Sequence, residues 1–397
     1  MRQEKLSELL DISMGRTPSR SESNYWGEGH KWVSIRDLNT KIITKTKEQI
    51  TDLAIKEARC RLVPKGTLLF SFKLTIGKMA FAGCDLFTNE AIAAFPIKDK
   101  ARLNSEFLYY ALLSAKFTGS NQAAMGKTLN SKSLADLEIP LPPLDDQIRI
   151  AHLLGKVEGL IAQRKQHLQQ LDDFLKSVFL EMFGDPIRNE KGWNKSQLKA
   201  FGKISTGNTP PRIDPANYDN DFIEWIKTNN ITGDAVFVTP SAEHLSEAGA
   251  RLGRTVSRGA LLVACIAGSI ESIGRVALTD RTVTFNQQIN AIQPAADVNP
   301  FYLYGLFKIS RAYIQSHATK GMKKILTKGD FEKITMIKPP FNLQNQFATI
   351  VEKVEDIKSR YQQSLIELET LYGALSQQAF KGELDLSRVP LTSESER

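Results

Sequence analysis

Two kinds of hydrophobic pattern alternate along this chain. Short apolar runs punctuated by glycine and proline, such as GTLLFSF (66–72) and GALLVACIA (259–267), have the length and side-chain content of buried strands. They dominate the early part of each half. A short helical pattern follows at 104–117 and again at 299–316. Next come the loops GKTLNSKSL (126–134) and GMKKILTKGDF (321–331), and then a Pro-Pro pair at 142–143 and 339–340. Proline ends the preceding strand and is tolerated at the start of a helix. Beyond it the apolar period becomes helical. In the first half the seam is Val157, Ile161, Leu168, Leu171, Leu175, Val178 and Met182, with Arg164 filling one place. In the second half it is Ile357, Tyr361, Leu365, Leu368, Tyr372, Leu375 and Ala379. No proline interrupts either seam before Gly184 or Gly382. The spacing predicts two helices of roughly 35–40 residues, about 50–60 Å each. Each has one apolar stripe and needs a partner.

The two halves are copies. PPLDDQIRIAHLLGKVE (142–158) and PPFNLQNQFATIVEKVE (339–355) share seven of seventeen positions. ISMGRTPSR (12–20) matches ISTGNTPPR (204–212), and KWVSIRDLN (31–39) matches EWIKTNNIT (224–232). VPKGTLLF (63–70) matches VSRGALLV (256–263), and IGKMA (76–80) matches IGRVA (273–277). TNEAIAAF (88–95) matches FNQQINAI (285–292), and FLYYALL (107–113) matches FYLYGLF (301–307). The offsets stay between 192 and 197, so one structural program is used twice. Equivalent halves predict that the two long helices pair with each other, antiparallel, about a pseudo-twofold axis.

Charge sharpens this picture. Residues 1–141 carry 21 Lys/Arg and 15 Asp/Glu, and residues 191–338 carry 19 and 12. Residues 142–190 carry 6 and 8, and residues 339–397 carry 6 and 9. Two basic units separated by acidic helical segments suggest two surfaces that face a polyanion. The polar N-terminus MRQEKLSELL is no signal peptide, and the longest apolar run, 260–270, is too short for a membrane span. Cys60, Cys84 and Cys265 are scattered with no CxxC pair, which fits a reducing cytoplasm and argues against a disulfide scaffold or zinc ribbon.

Catalytic motifs are wanting. AMGKT (124–128) has Asn121 where a phosphate loop needs its first glycine, and it follows a helix. KPPF (338–341) resembles the motif with which amino-methyltransferases hold a flipped base, but Lys338 is a pure donor where an acceptor is required. No nuclease carboxylate cluster, HExxH or GxSxG occurs. No catalytic residue, metal site or cofactor is expected.

Binding remains. GxTPxR places Thr-Pro in a turn ahead of Arg20 or Arg212. Arg16, Lys31 and Arg36 lie near it in the first half, and Lys227, Asn229 and Asn230 in the second. Arginine and asparagine are the side chains that read guanine and adenine edges in a major groove. Lys73, Lys78 and Arg275 flank the IG strands, while Lys127, Lys132, Lys320, Lys323 and Lys324 lie in the late loops and suit phosphates. These are the candidate DNA-binding residues. For any one of them a solvated charge is the blander reading. Trp32 and Trp225 read as core, and Gly15, Pro18, Gly66 and Gly77 as turn residues.

With GRTPSR and GNTPPR opening the halves, IPLPPLDDQ and IKPPFNLQ opening the helices, and FGD (183–185) and FKGEL (380–384) closing them, nearly the whole chain resembles the specificity subunit of type I restriction–modification systems. The resemblance implies an α+β fold with two similar target-recognition domains separated by two long antiparallel coiled-coil-like helices. The domains expected are 1–141 and 191–338, with spacers 142–190 and 339–385 and a disordered tail 386–397. It implies no catalysis in this chain. It implies recognition of a bipartite, asymmetric site in double-stranded DNA. It implies two modification (methyltransferase) subunits as partners, and helicase/nuclease restriction subunits recruited through them. No membrane partner is implied, and the setting is cytoplasmic. KPPFNLQNQ departs from the family's Pro-Leu-Pro-Pro start, with little consequence expected. The rival readings are a DNA methyltransferase with a diverged site and a scaffold built on a duplicated coiled coil.

Overall fold

A computed structural model describes residues 2–73, 75–115, 121–123, 126–129, 131–233, 235–319 and 324–391, leaving out the side chains of 121–123, 126–128 and 131. The chain divides into two units, Met1–Arg164 with Ser364–Arg397, and Lys165–Gln363. Six helices matter here. They are α1 (Asp52–Glu57), α2 (Ser105–Ser114), α3 (Leu144–Phe183), α4 (Glu247–Leu252), α5 (Pro300–Ile309) and α6 (Phe341–Lys381).

In the first unit, a five-stranded sheet runs in the order Ser13–Met14, Ile92–Phe95, Leu68–Ser71, Met79–Ala82 and Ile42–Ile43. A three-stranded sheet holds Trp26–Val33 between Glu48–Ile50 and Phe87–Thr88. The second unit has two four-stranded sheets. One orders Gly202–Thr206, Ile289–Pro294, Leu261–Ala264 and Val276–Leu278; the other orders His244–Leu245, Ile223–Ile226, Val283–Phe285 and Thr255–Val256. The central strands are buried on both faces, so their sequence is a continuous apolar run without alternation. Register is kept between copies: Trp32 pairs in parallel with Phe87, and Trp225 with Thr284.

The repeated residues of the Pro-Pro stretch account for the junction with the helices. Asn104 and Asn299 cap α2 and α5, accepting from Phe107 N and Phe301 N. Gln147 is fully buried; its Oε1 accepts from Asn104 N, and its Nε2 donates to Arg102 O and Pro142 O, all at 2.9 Å. Gln344 makes the same set with Asn299 N, Asp297 O and Pro339 O. At the far ends, α3 and α6 stop at Gly184 and Gly382, whose φ of 73° and 80° is the left-handed turn that glycine adopts at low cost.

Within each unit, segments of α3 and α6 pack antiparallel. In the second unit, Phe347 meets Phe179 with ring centroids 5.4 Å apart, Lys358 meets Asp172 and Tyr361 meets His167, so one number rises as the other falls. In the first, Ala379 is buried in one cluster with Ile150 and Leu154, and Phe380 packs on Phe107. The seam expected for α3 faces inward throughout, Arg164 included. In α6 one place differs. Ile357 is exposed and Lys358, the repeat equivalent of Ile161, is buried in its stead. The reason is pairing: Lys358 Nζ lies 2.8 Å from Asp172 and 3.0 Å from Glu355. The equivalent glutamate in the first unit, Glu158, takes Lys41 Nζ at 3.0 Å and the Tyr110 hydroxyl at 2.7 Å. Gly126–Thr128 form a strand paired with Asn121–Ala123, so the phosphate-loop-like stretch is not a strand-to-helix turn. Leu384 and Leu386 pack on the first unit's core, and Arg149 Nε donates to Val389 O. No helix among the described residues is long and apolar enough to cross a membrane.

Candidate nucleic-acid interface

The GxTPxR turn is built twice from the same contacts. A Cβ on Gly15 would lie 2.2 Å from Asn89 O, and one on Gly207 2.2 Å from Asn286 O, so only glycine lets these backbones approach. The next residue is held at both ends of its peptide. Arg16 N donates to Thr88 O (2.8 Å) and Asn208 N to Phe285 O (3.1 Å). The indoles of Trp32 and Trp225 donate to Arg16 O (3.0 Å) and Asn208 O (3.2 Å). Both tryptophans are 2% exposed, so they serve the core and this bond. The threonine hydroxyls of Thr17 and Thr209 bond to Glu90 and Gln287, again equivalent positions.

The arginine that ends the motif is held within the chain. Arg20 is bidentate to Glu48 and stacks over Trp26, 3.8 Å from the ring centroid. Arg212 pairs with Glu243 at 2.8 Å, over Tyr218 and Trp225; Lys227 shares Glu243 and lies 5.0 Å from the Trp225 ring. The hydrogen bond from Arg20 lowers the Glu48 pKa, and those from Lys227 and then Arg212 lower that of Glu243. Arg20 and Arg212 are raised in turn, chiefly by those same bonds. In this state these three cations are turn supports already satisfied by carboxylates.

A second turn presents exposed polar side chains. Ile35–Asp37 and Thr228–Asn230 are equivalent 3-10 turns closed by a side chain at their third residue. Asp37 accepts from Ser34 N (2.8 Å), and Asn230 accepts from Lys227 N (3.0 Å) while donating to Pro240 O (3.0 Å). Asn230 is thus buried, with both ends of its amide bonded inside the chain. Arg36 and Asn229, the middle residues, are exposed in both copies.

The other candidates scatter. Lys31 Nζ reaches Cys84 Sγ at 3.2 Å, and Lys73 lies 5.4 Å from the Phe72 ring. Lys78 and Lys324 are half-buried. Arg275, the equivalent of Lys78, has its Nε buried without a hydrogen-bond partner among the described residues. Arg311 Nε approaches Ile273 O at 3.4 Å beside it; burial, then the Arg275 charge, lowers the Arg311 pKa. Lys320, Lys323 and the Lys127 side chain lie outside the described residues. Sequence reasoning missed Arg59, Arg61, Arg251 and Arg254, which line open clefts beside the motif turn in the first unit and beside the strand that leads into it in the second. The repeat could have found two of them, since EARCR (57–61) and ARLGR (250–254) lie at one offset and set Arg61 on Arg254, whereas Arg59 falls on Leu252 and Arg251 on Ala58.

The helices carry a separate equivalence. Leu160 and Leu371 are 49% and 45% exposed in the first unit; their counterparts Ile357 and Phe174 are 40% and 50% exposed in the second. Both copies thus keep large apolar side chains in solvent at matching places. Among the described residues no group of three or more His, Cys, Asp or Glu is placed to hold a metal ion.

Comparison with known proteins gives one consistent answer. The family described as type I restriction modification DNA specificity domain matches residues 2–172 and again 190–370. The type I restriction enzyme MjaIX specificity subunit of Methanocaldococcus jannaschii is 27% identical over 249 residues, 57% of this chain and 57% of that protein. The EcoprrI specificity subunit of Escherichia coli is 20% identical over 377 residues, 89% of this chain and 87% of the relative. The chain thus spans a little over half of the first relative and most of the second. The crystal structure of a type I restriction-modification S subunit from M. genitalium shares the fold, with a TM-score of 0.59 at 14% identity over 96% of both chains. A chain from a structural study of complex assembly in the type I system gives 0.57 at 17%, covering 96% of this chain and 98% of its own.

Proposed function

The chain belongs to the family of type I restriction modification DNA specificity domains, and on that premise we propose that it is the non-catalytic subunit that reads a bipartite, asymmetric DNA site for a restriction–modification complex. One observation carries the reading. Two equivalent turns, closed by the same kind of cap, expose Arg36 in one unit and Asn229 in the other. Arginine pairs with guanine O6 and N7, and asparagine with adenine N6 and N7. A shared scaffold with different tip residues reads two different half-sites. Arg16, Lys73, Lys78 and Arg275 add backbone contacts, which set affinity and register but not sequence.

The partners follow the same duplication. Two methyltransferase subunits dock on the helices, one at Leu160 and Leu371, the other at Ile357 and Phe174, and restriction subunits join through them. The chain supplies recognition, its partners supply chemistry, and the assembly works in the cytoplasm.

Methylome sequencing of cells expressing the chain with its methyltransferase tests this. The expected motif has two unlike halves, with Arg36→Ala relaxing one and Asn229→Ala the other. Each lost bidentate contact is worth about 1–3 kcal/mol of discrimination. Methyl transfer by the purified chain alone would overturn the non-catalytic assignment, and a motif unmoved by both substitutions would overturn the role of the turns.

A further inference from the structure

We propose that Arg61 and Arg254, equivalent residues of the two copies and each with a neighbouring cation pair, line one phosphodiester-binding cleft in each unit. The inference rests on the DNA-reading function above and names residues that neither the motif nor the charge count had singled out. In the first unit the cleft lies between the strand Ser13–Met14, Gly15 and Arg61, and its neighbour is lined by Arg16 and Arg59. In the second unit, a cleft of about 500 Å³ lies on the opposite face of the equivalent strand, at Lys203 and Ser205 where the first unit uses Ile12 and Met14, against the segment carrying Arg251 and Arg254.

Three features favour an anion. First, the cations are available. All six are exposed, and Arg59, Arg61 and Arg254 have no carboxylate partner among the described residues, while Arg251 pairs only with exposed Glu247. The first cleft is lined by no carboxylate among the described residues, whereas its neighbour also holds Glu57 and Glu90, which accept from the Tyr25 hydroxyl (2.5 Å) and that of Thr17 and keep their charge. Among the described residues the second cleft is lined by no carboxylate. Second, the arginines are positioned. Arg59 holds a φ of 51°, which side-chain-bearing residues seldom adopt. The variable residue of the motif ties each segment down, Arg16 Nη1 reaching Ala58 O (3.4 Å) and Asn208 Nδ2 reaching Leu252 O (2.5 Å). Third, among the described residues neither the cleft at Arg61 nor that at Arg254 has an aromatic lining side chain for a base to stack on, whereas a phosphate needs only fixed donors. Arginine suits that task through its planar fork of N–H donors.

The test uses the full chain in complex with its methyltransferase and a duplex carrying the motif that the wild-type complex methylates. Affinity is measured across a salt series for wild type, Arg61→Ala, Arg254→Ala and Arg61→Lys. Each alanine variant should bind several-fold more weakly and lower the slope of log affinity against log salt by about 1, with the methylated motif unchanged. Arg61→Lys should keep the slope. A slope equal to wild type in both alanine variants overturns the proposal, and so does a changed motif, which would make the arginines base readers. Arg61→Lys losing as much slope as alanine also overturns it, because the effect would then not be charge. If the wild-type complex itself shows no sequence-selective binding, the DNA-reading function fails first, and that result stands apart from the others.

Discussion

The Gln147 side chain closes three hydrogen bonds to backbone groups with no exposure to water, and Gln344 repeats the set. Each ties the first turn of a long helix to the cap of α2 or α5. Alanine there leaves a buried N–H and two carbonyls unpaired, which costs about 2–4 kcal/mol in all. Denaturant unfolding of Gln147→Ala and Gln344→Ala should show losses of that size, similar in the two variants. A loss under about 0.5 kcal/mol in either, the size of an ordinary surface change, would mean that water replaces the amide and the staple has no such role. The charged residues of the same stretch are not kept between copies, Asp145 and Asp146 facing Asn342 and Leu343. The same division runs through GxTPxR, where glycine, threonine and arginine hold the turn and the residue after glycine varies.

Among the elements, the α3 and α6 segments of the second unit meet around a buried ammonium. Burial pulls the Lys358 pKa down, but Asp172 and Glu355 more than reverse it, so the charge is retained. Burial pushes the Glu355 carboxyl above its usual 4.5, and Lys358 recovers only part of that. In Lys358→Met the carboxyl loses this counter-ion, and its folded pKa climbs further while the unfolded value stays ordinary. A group whose folded pKa is raised binds more protons in the fold, so stability falls as pH rises from the unfolded value through the folded one. Lys358→Met should therefore be nearly as stable as wild type at acid pH and about 2–4 kcal/mol less stable near pH 8. Lys358→Met/Glu355→Gln should lose that slope. Melting curves at several pH values decide, and a flat profile in the single variant would show that Glu355 is not held by Lys358. The periodicity of α6 named the helix but chose Ile357 for the seam, because hydrophobicity alone cannot see two carboxylates that make a lysine acceptable inside. The repeat alignment, which sets Lys358 on Ile161, held the better signal.

At the scale of the whole chain, duplication was the most legible feature. It gave the number of units and the two long helices, and it marked residues such as Gln147 and Gln344, Gly15 and Gly207, and Trp32 and Trp225, which hold a cap, a turn and a core in both copies. The interface was legible only in part. Arg36 and Asn229 could be named from residue type, but so could Arg20, Arg212, Lys227 and Asn230, whose partners come from segments up to 31 residues away and cannot be read off composition. The arginines after α1 and α4 were passed over because a solvated charge and a poised one look alike in a sequence. The proposed function makes one demand on the chain as a whole. If α3 and α6 set the gap between half-sites, removing one helical turn from each at matching places should shorten the unspecified spacer and leave both half-sites intact, because each recognition unit keeps its own turns, clefts and core. Four residues make about one turn, so the apolar seam stays nearly in phase across the deletion. The deletion must be made in both helices together, since shortening one alone breaks the antiparallel register fixed by Phe179–Phe347 and Asp172–Lys358. Methylome sequencing would show it directly: the same two half-motifs at a shorter spacing. Altered half-motifs at the original spacing would mean that the helices do not measure the gap.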